Sequence, residues 1–260
     1  MSELHVHIES FNAILEDCQS LSCIARDSGL QRDACAELRA LLARAAELKS
    51  NAVAVGDEDS ANLFLGFECA ASSVYSELRM WLLLKEENPN EAWSALIDAQ
   101  MAATSAARAH RGFMHLLHQH ARLEEIEKLV FPPQVFLSAG WIVGRQECSI
   151  CAAEYGTCDH LVGKPYMGRL CSIVARELQG NHVAIVKHPA DKKCRVITFE
   201  VEGGKRDRMT WKIEPANRTE RTKDTAATDG SSTSDNLTCE GIFATGVANA
   251  QPNHPNDESR

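Results

Sequence analysis

The sequence predicts an α+β protein: an N-terminal antiparallel helical bundle, then a small β-rich domain, then a disordered tail. Three observations carry this. Residues 2–130 contain one proline, Pro89, and few β-branched residues, and their apolar positions fall at helical spacing. Phe131-Pro132-Pro133 stops that pattern, and short β-rich runs then surround a cluster of cysteines. From about residue 215 the chain becomes rich in Thr, Ser, Asn and Asp, a composition that cannot bury a core. The expected boundaries are 1–131, 132–214 and 215–260.

The first helix is expected over about 3–27, on Ile8, Phe11, Leu15, Leu21 and Ile24, with Asp27-Ser28-Gly29 as its stop. The second runs from about 31 to 54 through Cys35, Leu38, Leu41, Leu42, Ala45 and Leu48. The acidic run Asp57-Glu58-Asp59 suits the positive end of a third helix reaching about Glu87. Asn88, Pro89 and Glu91 then make a strong start signal for a fourth. That helix reads to Val130 with a bend at Gly112, and its alanine-rich middle permits close packing. Long helices on short connections give an antiparallel bundle.

Beyond the prolines, Val135–Leu137 and Trp141–Val143 read as strand. Asn181–Val186 and Cys194–Val201 read as stronger strands about the turn His188-Pro189-Ala190-Asp191. Gly203-Gly204 ends the second of these, and Arg208–Ile213 completes a hairpin. In the tail, Gly241-Ile-Phe-Ala is the one apolar island.

Charge and composition narrow the function. The chain has 27 Lys and Arg against 36 Asp and Glu, a net charge of −9, yet residues 145–212 hold 12 basic and 8 acidic side chains. No run of about 18 uncharged apolar residues is present, so no membrane-spanning helix is expected. The start MSELHVHIESF lacks the basic and apolar regions of a secretory signal. Ten cysteines without such a signal favour metal binding in a reducing, cytoplasmic compartment over a disulfide framework.

Most of the chemistry lies in Cys148-Ser-Ile-Cys151 followed by Cys158-Asp-His160, a Cys-x2-Cys-x6-Cys-x-His spacing. The first pair can form a knuckle, and residues two apart in extended backbone project to one side. Three thiolates and an imidazole suit one structural zinc ion, held closed by four protein ligands. The metal would replace hydrophobic core in a segment with few large apolar residues. Cys171, eleven residues after His160, is a fifth candidate that can replace Cys158 or His160. Trp141 and Tyr166 flank the segment and are expected to pack over the knuckle or against the end of the bundle.

Two resemblances rest on shorter motifs. Arg108 and Arg111 each precede a histidine, His115 and His118, by the spacing Arg-x6-His on the fourth helix. This resembles the motif of HEPN ribonucleases, and implies a phosphate-holding Arg with a His in general acid–base cleavage. Separately, Phe136-Leu-Ser138-Ala-Gly140-Trp, together with Val183-Ala-Ile-Val-Lys-His-Pro189-Ala190-Asp, resembles a segment of the phage prohead protease family. By that resemblance Ser138 matches the nucleophile, while His182 falls where the family has an acidic residue. The family's upstream catalytic His belongs on a strand, whereas the corresponding region here reads as helix, so a shared, non-catalytic β-substructure is expected over residues 135–200. Finally, Lys187, Lys192, Lys193 and Arg195 could contact phosphates as a basic patch, or form a solvated hairpin turn.

Together these readings predict a zinc-binding, non-enzymatic interaction or scaffold protein from a bacterial, phage or mobile-element system. Self-association or partner docking would use the bundle. The alternatives are a nucleic-acid-binding protein using the basic zinc domain, and a hydrolase of either resembled type.

Overall fold

The computed structural model describes residues 3–215, so the predicted tail and its apolar island lie outside the described residues. Within them the chain is α+β. Five helices, α1 (Glu3–Gln19), α2 (Ser28–Ala54), α3 (Glu58–Lys85), α4 (Pro89–Ala109) and α5 (Leu116–Val130), precede seven strands.

The helix starts follow local capping chemistry. Asp27 accepts hydrogen bonds from the Gly29 and Leu30 amides at 2.7 and 3.1 Å, and Asp57 accepts from Ser60 N at 3.1 Å. Asn88 caps α4, with Pro89 in its first turn. The first helix is shorter than expected. Asp27 starts α2 instead of stopping α1, and residues 20–27 form an irregular turn. Its carbonyls are satisfied from outside: the fully buried Gln31 donates to Leu21 O and Cys23 O at 2.9 Å each, and Lys85 Nζ to Arg26 O at 2.5 Å.

The expected fourth helix is two helices. His110 is extended (φ −155°, ψ 142°), its Nδ1 accepts from Gly112 N at 3.1 Å, and Arg111–Phe113 form one 3-10 turn. The break turns Phe113 into the core, edge-on to Phe67 with ring centroids 4.9 Å apart. Gly66 makes the room, since a Cβ there would collide with the Phe113 ring. Burying the Phe113 side chain is worth about 1.5–3 kcal/mol, and the 3-10 turn keeps part of the helical bonding through Phe113 N to His110 O and Met114 N to Arg111 O.

Two apolar clusters hold the bundle. One gathers Phe11, Leu38, Phe64, Phe67, Leu78 and Phe113; the other Met80, Trp93, Leu96, Leu123 and Phe131. Leu123 and Phe131 reach the first half of α4, so α5 runs back antiparallel to it. Ala99, Ala103 and Ala106 are fully buried, the close packing that the alanine-rich stretch allows.

Strand pairing departs from the sequence expectation. β1 (Phe136–Cys148) and β4 (Ile173–Val186) form a long two-stranded antiparallel ribbon. The predicted pairing of Asn181–Val186 with Cys194–Val201 does not occur. Instead Cys194–Val196 meets the other edge of β1, through Leu137 N to Cys194 O and Val196 N to Val135 O, both 2.8 Å. The loop closed by Cys148 opposite Ile173 carries the short hairpin β2 (Pro165–Tyr166) and β3 (Arg169–Leu170). β5 (Thr198–Val201), β6 (Gly204–Asp207) and β7 (Ile213–Pro215) make a separate meander. The expected strand Arg208–Ile213 is largely a turn, because Asp207 Oδ1 accepts from Met209 N, Thr210 N and Thr210 Oγ1.

No helix of the described residues is long and apolar enough to cross a membrane.

Candidate metal centre

Cys148 ends β1, and the chain turns at once. Ala152 N donates to Cys148 O at 2.9 Å, Cys148 N to Ala153 O at 2.8 Å, and Ala152 takes a positive φ of 59°. Ile150 N points at Cys148 Sγ from 3.4 Å. This tight turn brings the Cys151 sulfur back beside that of Cys148. A second turn, through Gly156 (φ 98°), returns Cys158 and His160 to the same place. The ligand atoms of Cys148, Cys151, Cys158 and His160 all lie within 4.8 Å of one another. A tetrahedral ion with metal–sulfur bonds of about 2.3 Å needs neighbouring sulfurs about 3.8 Å apart, so the four can close on one metal ion with small adjustments.

His160 fits this role in a second way. Its Nδ1 is shielded from water and has no hydrogen-bond partner among the described residues. A buried ring nitrogen without a partner is costly unless it binds a cation. The ring stands edge-on to Tyr166 with centroids 4.6 Å apart, and Tyr166 Oη accepts from Leu161 N at 2.9 Å. Tyr166 therefore packs on the ligand loop, as expected. Trp141 does not: it lies midway along the ribbon, over Gly180, and is half-exposed.

Cys171 is fully buried, its sulfur 3.8 Å from that of Cys148. Burial, then the neighbouring Cys148, push its thiol up to about 11. Burial also raises Cys148, but hydrogen bonds from the Cys151 and Ile150 amides and from the Cys151 and Cys158 side chains more than offset this and hold it down to about 6. The two sulfurs are in hydrogen-bonding contact, a support contact of the kind that orients metal ligands. The same 3.8 Å is also the edge of a tetrahedral thiolate site, so Cys171 stays within reach as a substitute ligand.

The centre is anchored to the bundle. The hairpin tip uses Met167 and Gly168, both at positive φ (45° and 72°), the two-residue turn that matches strand twist. Gly168 N donates to the buried Asn62 Oδ1 at 2.8 Å, and Met167 N to Glu58 Oε1 at 3.3 Å, both in the first turns of α3. A Cβ on Gly168 would crowd Lys49 and the Ala61 carbonyl, at 2.9 and 3.3 Å.

The other sequence candidates are placed differently. Three of the four basic residues staple the β region to the bundle. Lys192 Nζ donates to Glu127 at 2.8 Å, Lys193 Nζ to Asp98 at 2.5 Å, and the buried Arg195 to Asn90 at 2.6 Å. Lys187 is exposed just after β4 while the other three are turned onto the bundle, so the four do not form one phosphate-facing patch. Arg195 also lies over the Trp93 ring, and Asn90 Nδ2 donates to Asp207 Oδ2 at 2.7 Å. Asn90, Trp93 and Asp207 were not singled out by sequence; the one signal is that Asn90 sits in the capped start of α4.

The helix break separates the Arg-x6-His pairs. Arg108 and Arg111 line a cavity of about 440 Å³ with Asp59, Asn62, His110 and Pro165, whereas His115 lines another of about 210 Å³ beside Phe113 and Leu116. His118 is exposed on α5. Ser138 lies opposite Ala184, on the ribbon face where the His182 ring covers Gly140. No family model, curated protein or solved structure matches the chain.

Proposed function

We propose that the chain is a zinc-stabilised, non-enzymatic interaction protein in which the metal fixes a β-ribbon onto a helical bundle. The observation that carries this is the ligand set: three sulfurs and an imidazole whose shielded Nδ1 has no hydrogen-bond partner among the described residues converge at the far end of the ribbon, with a fourth sulfur behind them. Such a soft, sulfur-rich set favours zinc over hard oxygen-seeking cations. A site closed by four protein ligands supports structure, since a catalytic zinc keeps a position open for water or substrate. The hairpin beside it is held on α3, and the Lys192–Arg195 segment holds the other end of the ribbon on α4 and α5. Holding a surface in place is the role that such an arrangement serves best.

Elemental analysis of the purified chain tests this. One zinc per chain is expected, lost on Cys148→Ser or Cys151→Ser. Loss on Cys171→Ser with retention on Cys158→Ser would reassign the fourth ligand. A chain that folds with no bound metal would overturn the proposal.

A further inference from the structure

The β1–β4 ribbon leaves an apolar face uncovered. Paired residues of antiparallel strands share a face, and successive residues alternate between faces. The register sets Leu137 opposite Ile185, Ala139 opposite Val183, Trp141 opposite Gly180 and Val143 opposite Leu178. Between the second and third pairs the register shifts, with Asn181 as the extra residue of β4, which keeps all four pairs on one face. Side-chain contacts agree with this parity. The Trp141 ring lies over Gly180 on this face, while His182 covers Gly140 and Glu177 covers Gly144 on the other.

The apolar side chains face water. Ile185 is 76% exposed, Val183 64%, Leu178 49% and Trp141 46%. An antiparallel sheet normally packs such a face against a core, and a two-stranded ribbon alone is marginal in water. Here the ends hold the ribbon in place. Phe136 meets Trp93 near the start of α4, with ring centroids 6.1 Å apart, and Cys148 enters the metal centre.

We propose that this face packs against the same face of a second copy, related by a two-fold axis, into a four-stranded, two-layer sandwich. Charge favours a self-match. The only charged residues on this face of the paired strands are Arg145, Arg176 and Glu147, and both arginines bind Glu147, at 2.6 and 2.9 Å, at the metal end. The stretch from Leu137 to Val143 and its partners is uncharged, so it offers nothing to a charged ligand and is complementary to its own two-fold copy. Size is adequate. The stretch presents roughly 500 Å² per copy, about 1,000 Å² for the pair, the lower limit of a specific interface. Sandwiched sheets about 10 Å apart would interdigitate Ile185, Val183 and Trp141 with their counterparts. The proposal rests on the reading of the chain as an interaction protein, and moves its self-association surface from the bundle to the ribbon.

Sedimentation of the full-length chain over about 1–100 µM tests it. The mass should rise from 28.6 kDa toward twice that value. Val183→Glu with Ile185→Glu should weaken the dimer about tenfold or more while the helical circular dichroism and metal content stay unchanged. If the double variant loses its helical signal, Ile185→Thr, which keeps β-branching, should still weaken the dimer by a smaller factor. A monomeric wild type, or variants that dimerise as well as wild type, would overturn the proposal. Metal content separates the two readings: a zinc-bound monomer removes the dimer alone, and a metal-free dimer removes the zinc reading alone.

Discussion

The helical bundle and the β region are stabilised in opposite ways. Every buried apolar residue among the described ones lies at or before Phe131, except Cys148 and Cys171. In the bundle stability is spread over many side chains, each fully buried Leu or Phe contributing about 1.5–3 kcal/mol. Past Phe131 the long ribbon, the hairpin and the meander bury almost no apolar side chains of their own. What holds them is mainly local and polar: the ligand cluster, the Asn62–Gly168 clip, and the seam of Lys192, Arg195 and Asp207 against Asn90 and Glu127 of α4 and α5, with Phe136 and Met209 packed on the second apolar cluster. The first kind of structure tolerates the loss of one contact. The second depends on a few.

Removing the proposed metal should break this contrast most sharply. A structural zinc supplies about 10–16 kcal/mol of apparent folding free energy in small domains, more than the β region can replace by burial. Chelation, or Cys148→Ser, should release residues 149–172 to protease while the bundle keeps its helical signal. Limited proteolysis followed by mass spectrometry reads this; loss of both regions together would show that they fold as one unit.

A core truncation probes the other side. Leu78 is fully buried on α3 within the first apolar cluster, and Leu78→Ala should cost about 2–5 kcal/mol, lower the main thermal transition, and leave the metal stoichiometry unchanged. A somewhat smaller loss is expected at Glu77, which is completely buried on α3 and receives a 2.5 Å hydrogen bond from the half-exposed Arg122 on α5. Arg122→Ala leaves a buried carboxylate without its cation. It should cost about 2–4 kcal/mol, less than for a fully buried pair because water reaches Arg122. Denaturant titration should show Glu77→Gln recovering part of that loss in the Arg122→Ala background.

Gly168→Ala is the smaller, local counterpart. Its positive φ and the crowding by Lys49 predict a loss of about 1–2 kcal/mol, seen as faster amide exchange at residues 165–171 with the bundle unaffected.

The smallest effect is at the α4 seam, through acid. Burial raises the Asp207 carboxyl, but hydrogen bonds from Thr210, Asn90 and Met209 outweigh it and hold the group below its ordinary 3.8. A carboxylate depressed in the folded state adds stability that is fully present above its unfolded value, near 3.9, and is lost as pH falls through the lower folded value. The meander should therefore loosen only below about pH 4, and Asp207→Asn should flatten that acid limb in a fluorescence titration of Trp93 and Trp211.

The bundle was legible because helical order is local. Capping residues act on amides two or three positions away, as Asp27, Asp57 and Asn88 do here, and core spacing repeats every turn. The ligand cluster was legible for the same reason, since a Cys-x2-Cys turn is fixed by its own backbone. Two local readings still failed. α1 ends early because Gln31, ten residues beyond Leu21, satisfies the turn, and α4 breaks because Phe113 finds Phe67 on another helix.

The sequence by itself therefore determined the α+β class, the starts of α3 and α4 and the Cys/His cluster that can hold a metal ion, products of composition and short-range geometry. Only the tertiary structure decided which strands pair, which lysines are spent as staples, and that Arg108 and His115 face different cavities. It also decided that the ribbon turns an apolar face outward. Each of these depends on long-range closure. The pairing of β1 with β4 is set by ends that meet across 24 intervening residues, and no pattern within either strand records that meeting.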